Sequence, residues 1–482
     1  MPTLEAPYKV VCALHEGVIA DSGSDQGDNI RTALASLTNS QTGLYFPKGR
    51  YIVRGHLQLR SGNVLVGHPS GLTHFVNPDR KTSSIDQTVH SAKNILVEGL
   101  VLDNITINFT HDSTSVARYN GLRNTASDDP QIWTHGADQI IGNVLWREPG
   151  HEGRGIADYG GHGAVISGNL LGSDKPGLPA WVKDPVLDDA RTRKLAEQMT
   201  QLAAANNAVP GAAQPRGHFT IALHIHGSRG AQITRNDIVM TGTHLNDVGP
   251  ERQVAKLTNV QDLTLTGNRF AVEGHAATAA LPLVIEAPQD TRITANTLER
   301  TPLQFVPDPA GKRPTKRTSV TGNGLAGAVV SVTQSVTQSV SDDATLSTTV
   351  DDLLFINNRF WSVDPSRCMI DAPIPRQPGR TFGGRGNVRH PGFKPAKTCN
   401  LRELAPPPGT APSAPGLDNR ADRVTPPAVR PTQPTQPPSI DGPGISSGDM
   451  GNTASPPPVP ESKPSLLKRL SHWVQRTVKR IF

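Results

Sequence analysis

Seven short segments of this chain share one form. "IGNVL" (Asn143), "SGNLL" (Asn169), "TRNDI" (Asn236), "TGNRF" (Asn268), "TANTL" (Asn296), "TGNGL" (Asn323) and "INNRF" (Asn358) each carry an apolar alternation into an asparagine followed by a hydrophobe, and "LDNITI" (Asn104) reads as an earlier copy. Successive differences are 26, 67, 32, 28, 27 and 35 residues. A period in the high twenties with strand-like alternation is the signature of a solenoid. Each copy then forms one coil of a parallel β-helix. Asn suits the bend because it tolerates a left-handed backbone, and its amide can bond the Asn of the next coil to make a ladder.

Composition agrees with an all-β body: the 482 residues include 45 glycines and 42 prolines, with 4% aromatic and 19% charged side chains. The 67-residue gap requires an insertion, at about 173–217, or an extra degenerate coil. Within it, "DPVLDDARTRKLAEQMTQLAA" predicts a helix over 184–205, with Asp184 as cap, Pro185 at the first position and Val186, Leu195, Met199 and Leu202 on one apolar side. Such a helix is either a groove wall or a surface ornament.

The N-terminal segment adds a second signal. Residues 19–71, "IADSGSDQGDNIRTALASLTNSQTGLYFPKGRYIVRGHLQLRSGNVLVGHPSG", resemble the opening of pectate-lyase-superfamily right-handed parallel β-helix proteins: an Ala-Asp turn, an acidic loop, a short capping helix and "LYFPKGRYIV" as first coil. The sequence departs from that pattern at Asp21-Ser22 and Ser24-Asp25, which shape the cap. The resemblance implies the fold over 19–401 and a polysaccharide ligand, and says nothing about the reaction.

The net charge of +6 is carried by the last twenty residues, which hold six cations and no acid, so residues 1–462 have 42 of each sign. A neutral body gives no electrostatic argument for nucleic acid. Residues 1–18 form a lead, and the proline-rich stretch 402–463 cannot bury enough apolar surface to fold. The final segment 464–482 places Leu466, Leu467, Leu470, Val474, Val478 and Ile481 at helical spacing opposite cations, a basic amphipathic helix suited to peripheral contact with an anionic membrane or an acidic partner. The N-terminus lacks the basic start and continuous apolar core of a secretory signal, and no stretch reaches a membrane span, so an extracellular address implies a non-classical route. Of three cysteines, Cys368 and Cys399 are close enough in sequence to pair across a loop, which spacing alone does not decide. Oligomeric state is not legible.

Counting back from each Asn aligns the coils. Eleven residues before stand Ile132, Asp158, Ile225, Leu257 and Ile285, apolar except for Asp158, so this column faces the core. Columns ten before (Trp133, Tyr159, His226, Thr258, Glu286) and twelve before (Gln131, Ala157, His224, Lys256, Val284) then face out, with His224 and His226 about 7 Å apart along one strand. A His-x-His pair is also a metal signature, with Glu286, His244 and Asp247 as further ligands if loops fold over it; two ligands alone rarely hold an ion. The expectation is that no cofactor is required; calcium is compatible but not indicated.

A band of aromatic and polar groups along the solenoid axis suits a carbohydrate polymer. β-Elimination on a uronate needs a base, an acid for the leaving oxygen and a cation against the carboxylate, for which Tyr159, His226 and Arg229 are the candidates. Hydrolysis needs two carboxylates about 5 to 9.5 Å apart, from Asp158 with Glu286 or Asp128 with Asp129. Trp133, His224, Lys256, His151 and Arg154 are candidate substrate contacts, the last two from the polar loop 147–163. Asp158 has a competing role as a buried partner of turn amides, and Asp128 and Asp129 as turn formers before Pro130. The expected function is cleavage of an acidic polysaccharide, by elimination ahead of hydrolysis; the alternative is a non-catalytic glycan-binding or adhesion module. The repeat "SVTQSVTQSV" over 331–340 fits a strand and carries no chemistry.

Overall fold

The computed structural model describes residues 9–37, 42–69, 72–79, 83–87, 93–109, 113–123, 129–147, 152–173, 189–206, 218–241, 252–273, 281–306, 308, 313–333, 352–372, 383–399, 401 and 404. Three sheets of 13, 12 and 13 strands run the length of this body, and each takes every third strand of the chain. One coil is therefore three strands and three corners, and the architecture is a right-handed parallel β-helix. Neighbouring strands are parallel throughout, apart from a terminal antiparallel pair, Val388 opposite Pro395. The first sheet begins at Lys9–Cys12, the second at His56–Leu59 and the third at Gly49–Ile52.

Alternation decides what goes inside. On the second sheet Ile132, Ile156, Leu223, Ala255, Leu283 and Leu303 stack coil on coil, all fully buried. In register beside them run Thr134, Asp158, Ile225, Leu257, Ile285 and Phe305, so Asp158 occupies a position that later coils fill with hydrocarbon. Helix α1 (Gly27–Ser36) places Ile30, Ala33 and Leu34 in the same core and closes its N-terminal end. The Asp25 carboxylate accepts the Gly27 amide, the first of that helix, at 2.9 Å.

The asparagine ladder is continuous and longer than the sequence pattern indicates. From Asn120 through Asn143, Asn169, Asn236, Asn268, Asn296, Asn323 and Asn358 to Asn387, each side-chain amide donates to the next residue's Oδ1 at 2.9–3.1 Å. Asn104 is not a member: it sits in a left-handed conformation at another corner and donates to the Asn77 carbonyl. Ladder residues themselves are not left-handed; the residue before each is, as at Gly142, Arg235 and Ala295. The bend thus comes from the preceding residue, while Asn supplies the hydrogen bonds. Asn236 donates to Asn268 Oδ1 and the Ile166 carbonyl and accepts from the amide and side chain of Asn169. Asn236→Ala strands these buried partners and should lower the unfolding free energy by about 3 kcal/mol, read as an earlier urea midpoint with an unchanged slope. An unmoved midpoint would mean the ladder is dispensable.

Asn169 and Asn236 are ladder neighbours, so the 67-residue gap is one coil with an insertion rather than two coils. The insertion's helix α2 spans Ala190–Asn206. Its start is later than 184: the Asp189 carboxylate accepts from the Arg191 amide and the Thr192 hydroxyl, whereas Asp184, Pro185 and Val186 lie outside the described residues. Leu195, Ala196 and Met199 pack on Val101, Val144, Trp146 and Val239 of the third sheet. Met199 fits over Gly121, where a Cβ would come within 2.3 Å of its sulfur. The helix therefore covers the third sheet, not the histidine-bearing second one.

Cys368 and Cys399 form a disulfide with Cα atoms 5.6 Å apart, tying the last coils. The first residues of the "SVTQ" repeat continue the strand Val330–Val332; residues 334–340, the proline-rich stretch apart from Leu404, and the basic C-terminal segment lie outside the described residues. No described helix is long and apolar enough to cross a membrane.

Candidate active site

Two long neighbouring strands of the second sheet, Glu152–Tyr159 and His218–His226, set out the candidate site. Their register pairs Ala157 with His224 and Tyr159 with His226; the next two coils continue these rows with Lys256 then Val284, and with Thr258 then Glu286. Both rows face outward, as the counting from Asn predicts.

Trp133 is the exception. It stands opposite Ala157, not Tyr159, because its coil reaches Asn143 two residues sooner: Thr134, opposite Asp158, precedes its Asn by nine residues and Asp158 precedes Asn169 by eleven. Trp133 therefore heads the His224 row. Gln131, expected outside, is fully buried and donates its amide to the carbonyls of Leu122 and Trp146.

The side chains converge on the Tyr159 phenol. Arg154 Nη1 donates to its oxygen, and the oxygen lies 3.0 Å from His224 Nδ1. Trp133 meets the Tyr159 ring edge-on at 5.5 Å between centroids, and the Tyr159 ring lies 5.2 Å from His224 and 6.2 Å from His226. Burial, then the Arg154, Lys256 and His226 charges, push the His224 pKa down to about 3, so its imidazole is neutral near neutrality. Burial raises the Tyr159 pKa against the opposing pull of Arg154. Tyr159 accepts from Arg154, and with the proton of the neutral imidazole on Nε2 it donates its own to His224 Nδ1. His226 is exposed, and its pKa is lowered by partial burial and by the cations Arg313 and Lys256.

Arg154, Lys256 and Arg313 form no ion pair with any described residue. Two carboxylates share this end of the face. Glu286 has its pKa raised by burial and by Asp308 and lowered by Lys256, and Asp308 accepts the Arg313 amide at 3.0 Å. Arg313 and Asp308 escaped the sequence reading because they follow the strand Leu303–Val306 in a loop that no Asn count reaches.

The remaining expected residues are not brought together. Arg229 sits at the next corner in a row of bridges with His162, Gln261 and Gln289, paired to Asp262 at 3.3 Å. Asp158 is wholly inside, with no full hydrogen bond to either oxygen; Ser228 and the Gly161 amide are its nearest donors, and burial lifts its pKa to about 7. It cannot pair with Glu286 across a substrate, because the sheet lies between them. Asp129 is exposed and its carbonyl accepts from Arg147. Asp128, His151, His244 and Asp247 lie outside the described residues. Among the described residues no three His, Cys, Asp or Glu side chains gather as a metal site.

Three parallel sheets and an internal Asn ladder define a right-handed parallel β-helix protein. Residues 11–155 match the family model described as rhamnogalacturonase A/epimerase, pectate lyase-like. Among solved structures the chain is similar to PfbA, a surface adhesin of Streptococcus pneumoniae, with a TM-score of 0.52 at 12% identity over 79% of this chain and 90% of that one. It is also similar to the catalytic unit of a GH87 α-1,3-glucanase from Streptomyces thermodiastaticus (TM-score 0.46, 15% identity, 82% and 71% covered). A PL6 alginate lyase in complex with a trisaccharide gives a TM-score of 0.40 at 11% identity, with 79% and 84% covered. At such identities the likeness concerns the fold alone. No curated protein sequence matches the chain.

Proposed function

We propose that this protein cleaves an acidic polysaccharide by β-elimination on the outer face of the second sheet. The observation that carries the reading is the Arg154–Tyr159–His224 hydrogen-bonded chain beside His226, flanked by Lys256 and Arg313, which form no ion pair among the described residues. In the proposed reaction, neutral His226 removes the proton at C5 of a uronate whose carboxylate lies against Lys256 and Arg313. The electron pair forms the C4–C5 double bond as the C4–O bond breaks, and the Tyr159 hydroxyl protonates the departing oxygen. Arg154 stabilises the phenolate left behind, and the proton on His226 returns to it after product release, so atoms and charge balance without water. The bound carboxylate opposes the two cations that depress His226 and so strengthens it as a base when substrate is present.

The test is to incubate the protein with polygalacturonate, alginate and neutral glucans while following reducing ends and the ultraviolet absorbance of an unsaturated uronate. Both signals together, on acidic polymers only, are expected. Reducing ends without absorbance would replace elimination by hydrolysis and direct attention to Glu286 and Asp308; binding without either signal would leave a glycan-binding module.

For residues 464–482 we propose peripheral contact with an anionic membrane surface, on the strength of the apolar stripe opposite its cations. The full chain should co-sediment with vesicles containing phosphatidylserine and lose that binding on deletion of 464–482 or in high salt. Retention after deletion would remove the tail from the account.

A further inference from the structure

The last coils carry an aromatic group on a different face from the Tyr159 groove. On the third sheet, strand Arg359–Trp361 pairs with Val388–Arg389, which sets Trp361 beside His390. Phe360 points into the core and is fully buried, so Arg359 and Trp361 point out. The Trp361 ring lies over Gly324 of the preceding coil, where a Cβ would come within 2.8 Å of it; the glycine lets the indole lie along the sheet instead of standing off it. The Trp361 and His390 rings are near parallel, 29° apart with centroids at 6.2 Å, and Phe393 follows at 4.9 Å, edge to face.

Phe393 is 41% exposed, at the turn joining the antiparallel pair. Its backbone is left-handed with φ of 50°, a conformation that a bulky side chain adopts at a cost. The strands that carry the group are basic. Arg359 stands two residues before Trp361, and Arg389 and Lys394 flank His390 and Phe393 on the antiparallel pair; none of the three forms an ion pair with a described carboxylate. Aromatic faces beside cations complement a polymer that presents apolar sugar faces and carboxylates.

We propose that Trp361, His390 and Phe393 form a second glycan-binding surface, which holds an acidic polysaccharide at the C-terminal end of the solenoid. It shares with the proposed function the class of ligand and nothing of the chemistry. The test is affinity electrophoresis of the full chain through gels containing polygalacturonate or alginate, with Trp361→Ala and, separately, Phe393→Asn. Asparagine suits the left-handed backbone, so the second variant removes the ring without asking the exposed turn to refold. Each variant should be retarded about five- to tenfold less than the parent, with turnover of short oligouronates unchanged. Unaltered retardation of both variants would overturn the surface alone. Equal competition by single-stranded homopolymeric RNA would make it a general polyanion patch and overturn the assignment to glycan. If the parent itself is neither retarded by nor active on any acidic polysaccharide, the ligand class fails and both proposals fall with it.

Discussion

Tyr159→Phe is expected to lower turnover on the acidic polysaccharide about 10²- to 10⁴-fold, the range general acid catalysis contributes. The substitution keeps the ring, and with it the edge contact to Trp133 and the packing beside His226. What it removes is the proton that the departing oxygen takes up in the proposed elimination. Because Lys256 and Arg313 are untouched, KM should stay within a few fold, and the loss should fall on kcat. Some stability is lost as well, about 1–2 kcal/mol, since Arg154 Nη1 and His224 Nδ1 both lose their partner. A pH profile separates the roles. His226 has its pKa lowered from 6.5, so the acid limb of kcat/KM for the parent should lie below pH 6.5. An active Tyr159→Phe enzyme with parental kcat would remove the phenol from the chemistry; a KM rise at constant kcat would make it a binding group.

The sequence makes the fold legible because its signal is local and repeated. Each Asn from Asn143 to Asn358 in the repeated pattern marks the same corner, so one count aligns strands far apart in the chain, and the rows of His226 and His224 fall where that count puts them. The method fails where a coil changes length between strand and corner, as at Trp133, and where residues lie past the last strand of a coil, as with Arg313 and Asp308. The Arg154–Tyr159–His224 chain was only half visible. Arg154 stands five residues before Tyr159 on an eight-residue strand, and the register with the neighbouring strand shifts between Gly153 and Arg154, an irregularity that periodicity does not encode. Arg229 looked like the partner cation because it follows His226 closely, but the corner turns it to Asp262. The position of α2 was open for a related reason: amphipathicity says that a helix has a buried side, and only Gly121, a small gap on the third sheet, says which surface receives it.

Asp158 sits next to Tyr159 in sequence and on the opposite side of the sheet, so Asp158→Asn should separate stability from catalysis. The carboxyl is fully buried, has Asp138 as its charged neighbour on the adjacent coil, and titrates at about 7 against 3.8 for an exposed aspartate. A folded-state pKa raised above the unfolded one means that the native state holds the proton more tightly. Stability contributed by the neutral carboxyl is therefore complete below about pH 4 and is lost as pH rises towards 7, to a total of about 4 kcal/mol from one group. Asparagine keeps the shape and cannot ionise. Relative to the parent, Asp158→Asn should gain nothing at pH 4 and about 2–4 kcal/mol at pH 8, read from urea midpoints at both pH values. Asp237, also buried with a pKa raised to about 7, gives both proteins a slope of the same sign, so it is the difference between them that isolates Asp158. Turnover should be unchanged, since the side chain has no access to the outer face. A variant destabilised at every pH would mean that the carboxylate is ionised and paired in the fold, while a collapse of kcat without a change in stability would return Asp158 to the catalytic set.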